Sequence, residues 1–379
     1  MKIMMNMKHF FCVLLVLFVI ASCGGRGGNG TGKGLSEVEM LYSKELKIYE
    51  GDDYTVAEIR NPWDTAAVLH RYVLLKEGAV DPKIENATVV VIPIKNIAVY
   101  SSVHASIVDL LDEVGSIKGV CEGEYMDSKR VKNAMKDGKI VDFGSSMTPN
   151  VEMMLNEGVE AIIATPFVNG TYGAAATIGV PIIEGADYME THPLGRTEWI
   201  KFYSRLFDKR RLGDSIFSAT CERYNYLKDL VTSAQKMEKP TIISEKWYGS
   251  QWNTAGGRSY ISTLYKDAGG DYVFASDSST GGLTLSLESL IEHGVNADVW
   301  FVKYNTAKDL TYEDLKNEFP PCANFKSFKE RKIYGCNTGK IPYYAEMPLY
   351  PHLLLENYIM ILHPQLLNEG KMRYFTPLE

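Results

Sequence analysis

The chain has 379 residues, with 40 lysines and arginines against 47 aspartates and glutamates, a net charge of -7. That balance argues against a nucleic-acid partner, and the 345 residues from 35 to 379 are enough for two lobes with a sizeable core each. None of the six cysteines falls in a CxxC spacing, so no zinc site is expected.

Lys2 and Lys8 precede an unbroken apolar run from Phe10 to Ala21. The run is too short to span a bilayer comfortably, and small residues follow it, so residues 1–22 read as a secretory signal peptide. It ends Val-Ile-Ala-Ser-Cys23, which resembles the lipobox of bacterial lipoproteins, where the cysteine is lipidated. Residues 23–34 are glycine-rich, cannot bury a core, and form a flexible tether. The expected location is therefore periplasmic and lipid-anchored to the membrane. No other segment is apolar for long enough to cross one.

Residues 35–95 carry β-type runs at Leu46–Tyr49, Tyr54–Ile59, Tyr72–Leu75 and Thr88–Ile92, a hairpin-rich edge on an N-terminal lobe that reaches residue 205. Strands follow at Ile97–Tyr100, Ile117–Cys121, Lys139–Phe143, Ala161–Thr165 and Pro181–Ile183, alternating with helices. That alternation implies a mostly parallel sheet. Ser101 to His104 reads as a loop opening a helix that ends near Gly115. From Thr197 to Glu238 there is no proline and one glycine, Gly213, and the apolar spacing predicts a helix over 210–236. At about 1.5 Å per residue it would run on the order of 40 Å, longer than one lobe needs. Residues 206–238 are thus assigned to a linking helix and 239–379 to a C-terminal lobe. Cys322 and Cys336 are placed either as a disulfide or as two buried thiols.

Two stretches 136 residues apart read alike: residues 150–164 and 286–300. Each puts a glutamate (Glu152, Glu288) in the first turn of a short helix, ends it at a glycine (Gly158, Gly294), and runs into an apolar strand. The fold class is therefore α/β, two Rossmann-like lobes, each with a mostly parallel sheet, joined by one long helix.

Over roughly residues 95–365 the chain resembles the periplasmic substrate-binding lipoproteins of ABC importers for ferric siderophores, haem and cobalamin. The likeness rests on Ile97–Leu111, Val141-Asp-Phe-Gly144 with Pro149-Asn-Val-Glu152, Ile178–Ile183, His192–Trp199, Trp252 with Gly256–Tyr260, and Ala268-Gly-Gly270. It implies that one glutamate per lobe docks into arginines of the permease, and the matching positions are Glu152 and Glu288. Two carboxylates, one per lobe, suit a two-point contact with paired arginines. The helix is expected to act as a strut, and the protein to be a monomer with no cofactor.

The ligand would sit between the lobes, at the carboxyl ends of the strands. The loops there carry Tyr100, Ser101, Ser102 and His104; Glu122, Glu124 and Tyr125; Phe167 and Tyr172; Tyr188 and His192; Trp247, Tyr248 and Trp252; Arg258; Tyr304; Tyr343 and Tyr344. Aromatic walls suit a large, flat or macrocyclic ligand, a metal chelate or a corrinoid. The Trp247–Trp252 stretch, otherwise polar and glycine-bearing, is read as a stacking loop. The seven histidines show no paired spacing, which argues against a bare zinc or manganese ion. Arg258 is the only obvious cleft cation, fewer than a strongly anionic catecholate complex favours. Ferric siderophore, haem and cobalamin stay open. An extracytoplasmic enzyme finds no support in the sequence: GxSxG, HExxH and Walker motifs are missing, and the Glu122/Glu124 pair has no supporting base.

Overall fold

The computed structural model describes residues 34–234, 237–367 and 370–379. The signal peptide, Cys23 and all but the last residue of the tether lie outside them.

Five strands come first: β1 (Ser36–Glu37), β2 (Leu46–Glu50), β3 (Tyr54–Arg60), β4 (Val68–Lys76) and β5 (Thr88–Ile92). They form a sheet of their own, in the order β1-β2-β3-β4-β5, rather than extending that of the first lobe. The first lobe follows with β6 (Ile97–Val99), α1 (Ser102–Leu110), β7 (Ile117–Val120), α2 (Lys129–Lys136), β8 (Val141–Asp142), α3 (Val151–Asn156), β9 (Ala161–Ala164) and β10 (Ile182–Glu184). Two short helices, α4 (Pro193–Glu198) and α5 (Ile200–Leu206), lead into α6 (Arg210–Ser233). The second lobe contains β11 (Thr241–Ser244), β12 (Trp247–Tyr248), β13 (Gln251–Ala255), α7 (Tyr260–Asp267), β14 (Asp271–Tyr272), β15 (Gly282–Leu285), α8 (Leu287–Gly294) and β16 (Val299–Tyr304). It continues with α9 (Tyr312–Glu318), α10 (Lys326–Lys329), β17 (Ile333–Asn337), α11 (Tyr343–Glu346), α12 (Pro351–Leu362) and β18 (Thr376–Pro377).

The internal repeat has a topological counterpart. The first lobe's parallel sheet is ordered β10-β9-β6-β7-β8 and the second's β14-β11-β16-β17-β18. Read from the second strand of each lobe outward, β7-β6-β9-β10 matches β14-β11-β16-β17. The repeated segments α3–β9 and α8–β16 hold the same place in both. Each helix is capped alike, Asn150 accepting from the Met153 N–H and Ser286 from the Ser289 N–H. The second lobe adds a small antiparallel sheet, β12-β13-β15, between β11 and α8.

The linking helix spans 24 residues, about 36 Å. Phe217, in its first half, belongs to the core of the first lobe, and Tyr224 and Leu227 to that of the second. Gly213 lets α5 approach: a Cβ there would lie 2.2 Å from the Ser204 hydroxyl oxygen and 3.0 Å from the Ile200 carbonyl. No described helix is long and apolar enough to cross a membrane.

The first sheet is fastened to its lobe by buried polar bonds. Glu198 accepts the backbone N–H groups of Leu41, Tyr42 and Ser43 and pairs with Lys201. Glu190 accepts from the Ser43 hydroxyl and the Trp199 indole. Tyr72, on β4, sends its hydroxyl into the open edge of β10, donating to the Ile182 carbonyl and accepting from the Glu184 N–H, both at 2.9 Å. One side chain thus does at this edge what a neighbouring strand would do.

Cys121, Cys221, Cys322 and Cys336 are free. The disulfide alternative for Cys322 and Cys336 is therefore set aside; both are buried, and desolvation pushes their thiols up to about 11 and about 12.

Candidate ligand-binding site

The lobes touch at several points near the carboxyl ends of their strands. Helix α1 packs on α11. The Thr263 hydroxyl donates to the Thr191 carbonyl, and the Arg196 guanidinium lies 5.4 Å from the centre of the Tyr260 ring. Beside the α1–α11 contact a cavity of about 570 Å3 opens between the lobes, lined by Asp109, Asp127, Lys340, Glu346, Tyr350 and Arg373 among others. A larger one, about 750 Å3, lies at the start of α6, against the ends of β2, β4 and β5 in the first sheet. It is lined by charged side chains such as Arg205 and Arg210 that are paired with Glu50 and Asp214.

In the first lobe Ser101 caps α1, accepting from the His104 N–H at 3.2 Å, and Ser102 holds Asp127 by accepting from its N–H at 2.9 Å. Tyr100 ends β6 with its hydroxyl buried and without a partner in the structure, and burial raises its phenol well above the usual value. Glu124 and Tyr125 are exposed, Tyr125 at 64%. Glu122 is not half of an acid–base pair: its carboxylate accepts from the N–H and hydroxyl of Ser146, bonds that lower its pKa and tie two loops together. Phe167 is 43% exposed, and Tyr172 donates to Glu184 at 2.9 Å.

Both cleft histidines are engaged within the protein, His104 fully buried and His192 half-buried. His104 lies on the inward face of α1, its Nε2 3.5 Å from Asp187. Burial alone would raise the Asp187 carboxyl, but His104 and the Arg196 guanidinium outweigh it and hold it below the usual range. His192 caps α4 by accepting from the Leu194 N–H and stacks on Tyr42 at 4.8 Å. Desolvation lowers its pKa, so it sits neutral.

In the second lobe Trp252 is 0% exposed, which removes it from any ligand wall. The stretch Trp247–Trp252 is a tight hairpin joining β12 and β13, not a loop. The alternation of β13 turns Trp252 and Thr254 inward and Gln251 and Asn253 outward. Its indole donates to the Ser244 carbonyl and packs on Trp300 and Phe319. Trp247 is half-buried and stacks on Phe319, while Tyr248 is 79% exposed at the turn. Arg258 is exposed, and Tyr304 is nearly buried. Tyr343 is buried too, and its ring covers the Lys303 ammonium at 5.1 Å; the exposed Tyr344 lies at 5.7 Å from the same group.

Lys303 and Arg196 are the cations that sequence reasoning missed. Lys303 is the one charged residue in the apolar strand Val-Trp-Phe-Val-Lys-Tyr, a signal available in the sequence. It pairs with Glu245 at 2.7 Å, and that charge outweighs desolvation to raise its pKa. Glu245 adopts φ +76°, a conformation rare outside glycine. Its N–H bonded to the Phe301 carbonyl and its carbonyl bonded to the Trp300 indole hold it there.

Glu152 and Glu288 are both exposed, each the second residue of its helix. The Glu288 carboxyl is held below its usual range by its own backbone N–H and the Ser286 hydroxyl. Among the described residues no group of three or more His, Cys, Asp and Glu side chains could hold a metal ion.

Residues 97–338 match the periplasmic binding protein family, and the chain belongs to it. It is a family of solute-binding proteins. One similar relative is an uncharacterized lipoprotein of Methanocaldococcus jannaschii, 26% identical over 303 residues that make up 77% of this chain and 70% of the relative. Among solved structures, an ABC-type Fe3+-hydroxamate transport protein of Saccharomonospora viridis shares the fold, with TM-score 0.55 and 14% identity over 72% of this chain and 94% of that one. So does a periplasmic heme-binding protein of Pseudomonas aeruginosa, with TM-score 0.55 and 14% identity over 71% and 91%.

Proposed function

We propose that the protein captures an iron complex, a ferric siderophore or haem, between its lobes and delivers it to an ABC importer, working as a monomer tethered to the membrane through Cys23. The observation that carries this reading is the exposure of aromatic side chains at the carboxyl ends of strands in both lobes: Tyr125 and Phe167 in the first, Tyr248 and Tyr344 in the second. Large apolar rings left in water at loops of two facing lobes mark a contact surface for an apolar ligand. The ligands in the names of similar solved structures, ferric hydroxamate and heme, agree with it.

Charge narrows the class. Arg196 and Lys303 are already neutralised by Asp187 and Glu245, and Lys340 and Arg373 of the inter-lobe cavity by Asp309 and Glu346, so among the described cations named at the cleft only Arg258 and the cavity-lining Lys129 are without an ion pair. A neutral ferric trihydroxamate fits such a surface better than a polyanionic catecholate, whose charge would need several free cations. Cobalamin, also large and close to neutral, is the second reading. Glu152 and Glu288 are the permease contacts in this proposal, supported by their exposure at equivalent places in the two lobes, and the printed name of the Methanocaldococcus relative supports the lipid anchor.

Titrations with a ferric trihydroxamate, hemin and cyanocobalamin, followed by tryptophan fluorescence and calorimetry, test the proposal. Saturable binding of one of the iron complexes at micromolar or tighter dissociation constants is expected. Binding of cyanocobalamin alone moves the assignment to the second reading, and binding of none of the three overturns it.

A further inference from the structure

The sheet of residues 36–92 lies before the segment that matches the family, yet one of its loops reaches the ligand end of the first lobe. A cavity of about 230 Å3 is walled on one side by Asn61, Trp63 and Leu69, from the β3–β4 hairpin. Its other side is the loop after β9 and the end of β10, with Phe167, Tyr172 and Glu184. Trp63 is 37% exposed, and Phe167 lies over Gly170, where a Cβ would come within 2.4 Å of its ring. The space is below the roughly 300–1,000 Å3 of a pocket for a whole drug-sized ligand and suits a single substituent.

Glu184 is the only charged side chain in the lining. One of its oxygens accepts from the Tyr172 hydroxyl at 2.9 Å and the other faces His70 Nδ1 at 3.0 Å. An ionised carboxylate only accepts, so Nδ1 carries a proton, while Nε2 shares a hydrogen bond with the Thr88 hydroxyl at 2.8 Å. Each carboxylate oxygen thus has one partner, and two of the roughly four acceptor positions are left over. A carboxylate lining the same small cavity as the rings of Trp63 and Phe167 is a combination that attracts an organic cation.

We propose that this cavity takes a positively charged amine or ammonium group, and that the β3–β4 hairpin is a specificity element for the ligand. This rests on the inter-lobe site proposed above. The cation is either a pendant arm of the bound chelate or a separate small amine.

Two probes distinguish these sources. The first is a ferric trihydroxamate with a free primary amine arm, compared with its N-acetylated form on the full chain. The second is tetramethylammonium chloride, read from the NMR shift of the Trp63 indole N–H against sodium chloride. A pendant arm predicts that the amine form binds about tenfold tighter, that Glu184→Gln abolishes the difference, and that Trp63→Leu reduces it. A separate amine predicts equal affinity for the two chelates with a Glu184-dependent indole shift. If neither chelate binds, the iron reading fails while the indole shift still decides the cavity. Equal chelate affinities, or no chelate binding, together with no indole shift overturn the proposal. Melting temperatures of both variants show that they are folded, and a lower melting temperature with unchanged discrimination makes Glu184 a structural tie only, which also overturns it.

Discussion

Tyr72→Phe removes one oxygen from the place where the first sheet meets the edge of β10. The ring is fully buried, stacks on His70 at 4.4 Å and packs against Phe202 at 5.9 Å, and phenylalanine preserves these contacts. Two backbone groups lose their partner at once, the Ile182 carbonyl and the Glu184 N–H. A fully buried unsatisfied group costs about 1–3 kcal/mol; these two are only partly buried, so the substitution is expected to destabilise the lobe by about 2–4 kcal/mol, the lower part of the summed range. Urea unfolding followed by circular dichroism measures it: the midpoint falls and the slope stays the same, because the surface exposed on unfolding is unchanged. Hydrogen exchange at the Glu184 amide should accelerate by a comparable factor. A loss below about 0.5 kcal/mol with unchanged exchange would refute the edge-closing role.

Other expectations concern transport, ligand, acid and motion. Glu152→Ala and Glu288→Ala should each weaken uptake through the permease with ligand affinity intact, and the double variant should be worse, as distant contacts add; full uptake by the double variant would leave both as helix-start acids. Trp252→Ala should cost about 3–5 kcal/mol of stability through the cavity it leaves, while Trp252→Phe keeps ligand affinity; a large affinity loss in the folded Phe variant would return Trp252 to the site. Lowering pH should destabilise the protein in two stages. His192 and His352 have depressed folded pKa values from burial, so their contribution is full above about 6.5 and is lost as pH falls below it. The Asp187 carboxyl is also depressed, and its contribution goes below about pH 4. Melting temperatures across pH 3–8 measure this, and a flat profile between 7 and 5 contradicts the histidine stage. Since α6 is packed into both cores, ligand should close the lobes by only a few degrees, and a large compaction in small-angle scattering would contradict that.

Much of the framework was legible in the sequence because strands and helices are set by local periodicity. The runs at Leu46, Tyr54, Tyr72 and Thr88 all lie in strands, and the helix read as 210–236 spans Arg210–Ser233 among the described residues. The pairing of Glu152 with Glu288 was visible as a repeat, and the equivalent sheet orders give it a structural basis. Which way an aromatic ring faces was not legible. Trp252 sits two residues after the turn Gly249-Ser250, and the polar residues around it resemble a loop, yet the same alternation of polar and apolar residues is what β13 uses to send it inward. His104 shows the helical version of this ambiguity. With Ala105, Ile107 and Val108 it makes the buried stripe of α1, and only the packing of that stripe decides that its partner is Asp187 rather than a ligand.

The two lobes share a topology and therefore an exposed edge, β10 in one and β17 in the other. They protect it differently. In the second lobe the chain returns as β18 and pairs antiparallel with β17, an ordinary strand-to-strand closure. In the first, no strand among the described residues adds to β10; the hydroxyl of Tyr72 satisfies the Ile182 carbonyl and the Glu184 N–H, and the sheet carrying Tyr72 stands beside the lobe as a separate layer. A separate layer can be placed where a continuing strand cannot, and here it brings the β3–β4 hairpin to the carboxyl ends of β9 and β10. The second lobe gains its extra wall by another route, the antiparallel β12-β13-β15 sheet inserted after β11, with Tyr248 at the exposed turn. Each lobe thus keeps the same parallel core and adds one antiparallel or mixed sheet of its own. Differences in ligand among proteins of this fold are expected to follow those additions more closely than the shared core, because the core's side chains are already committed to one another.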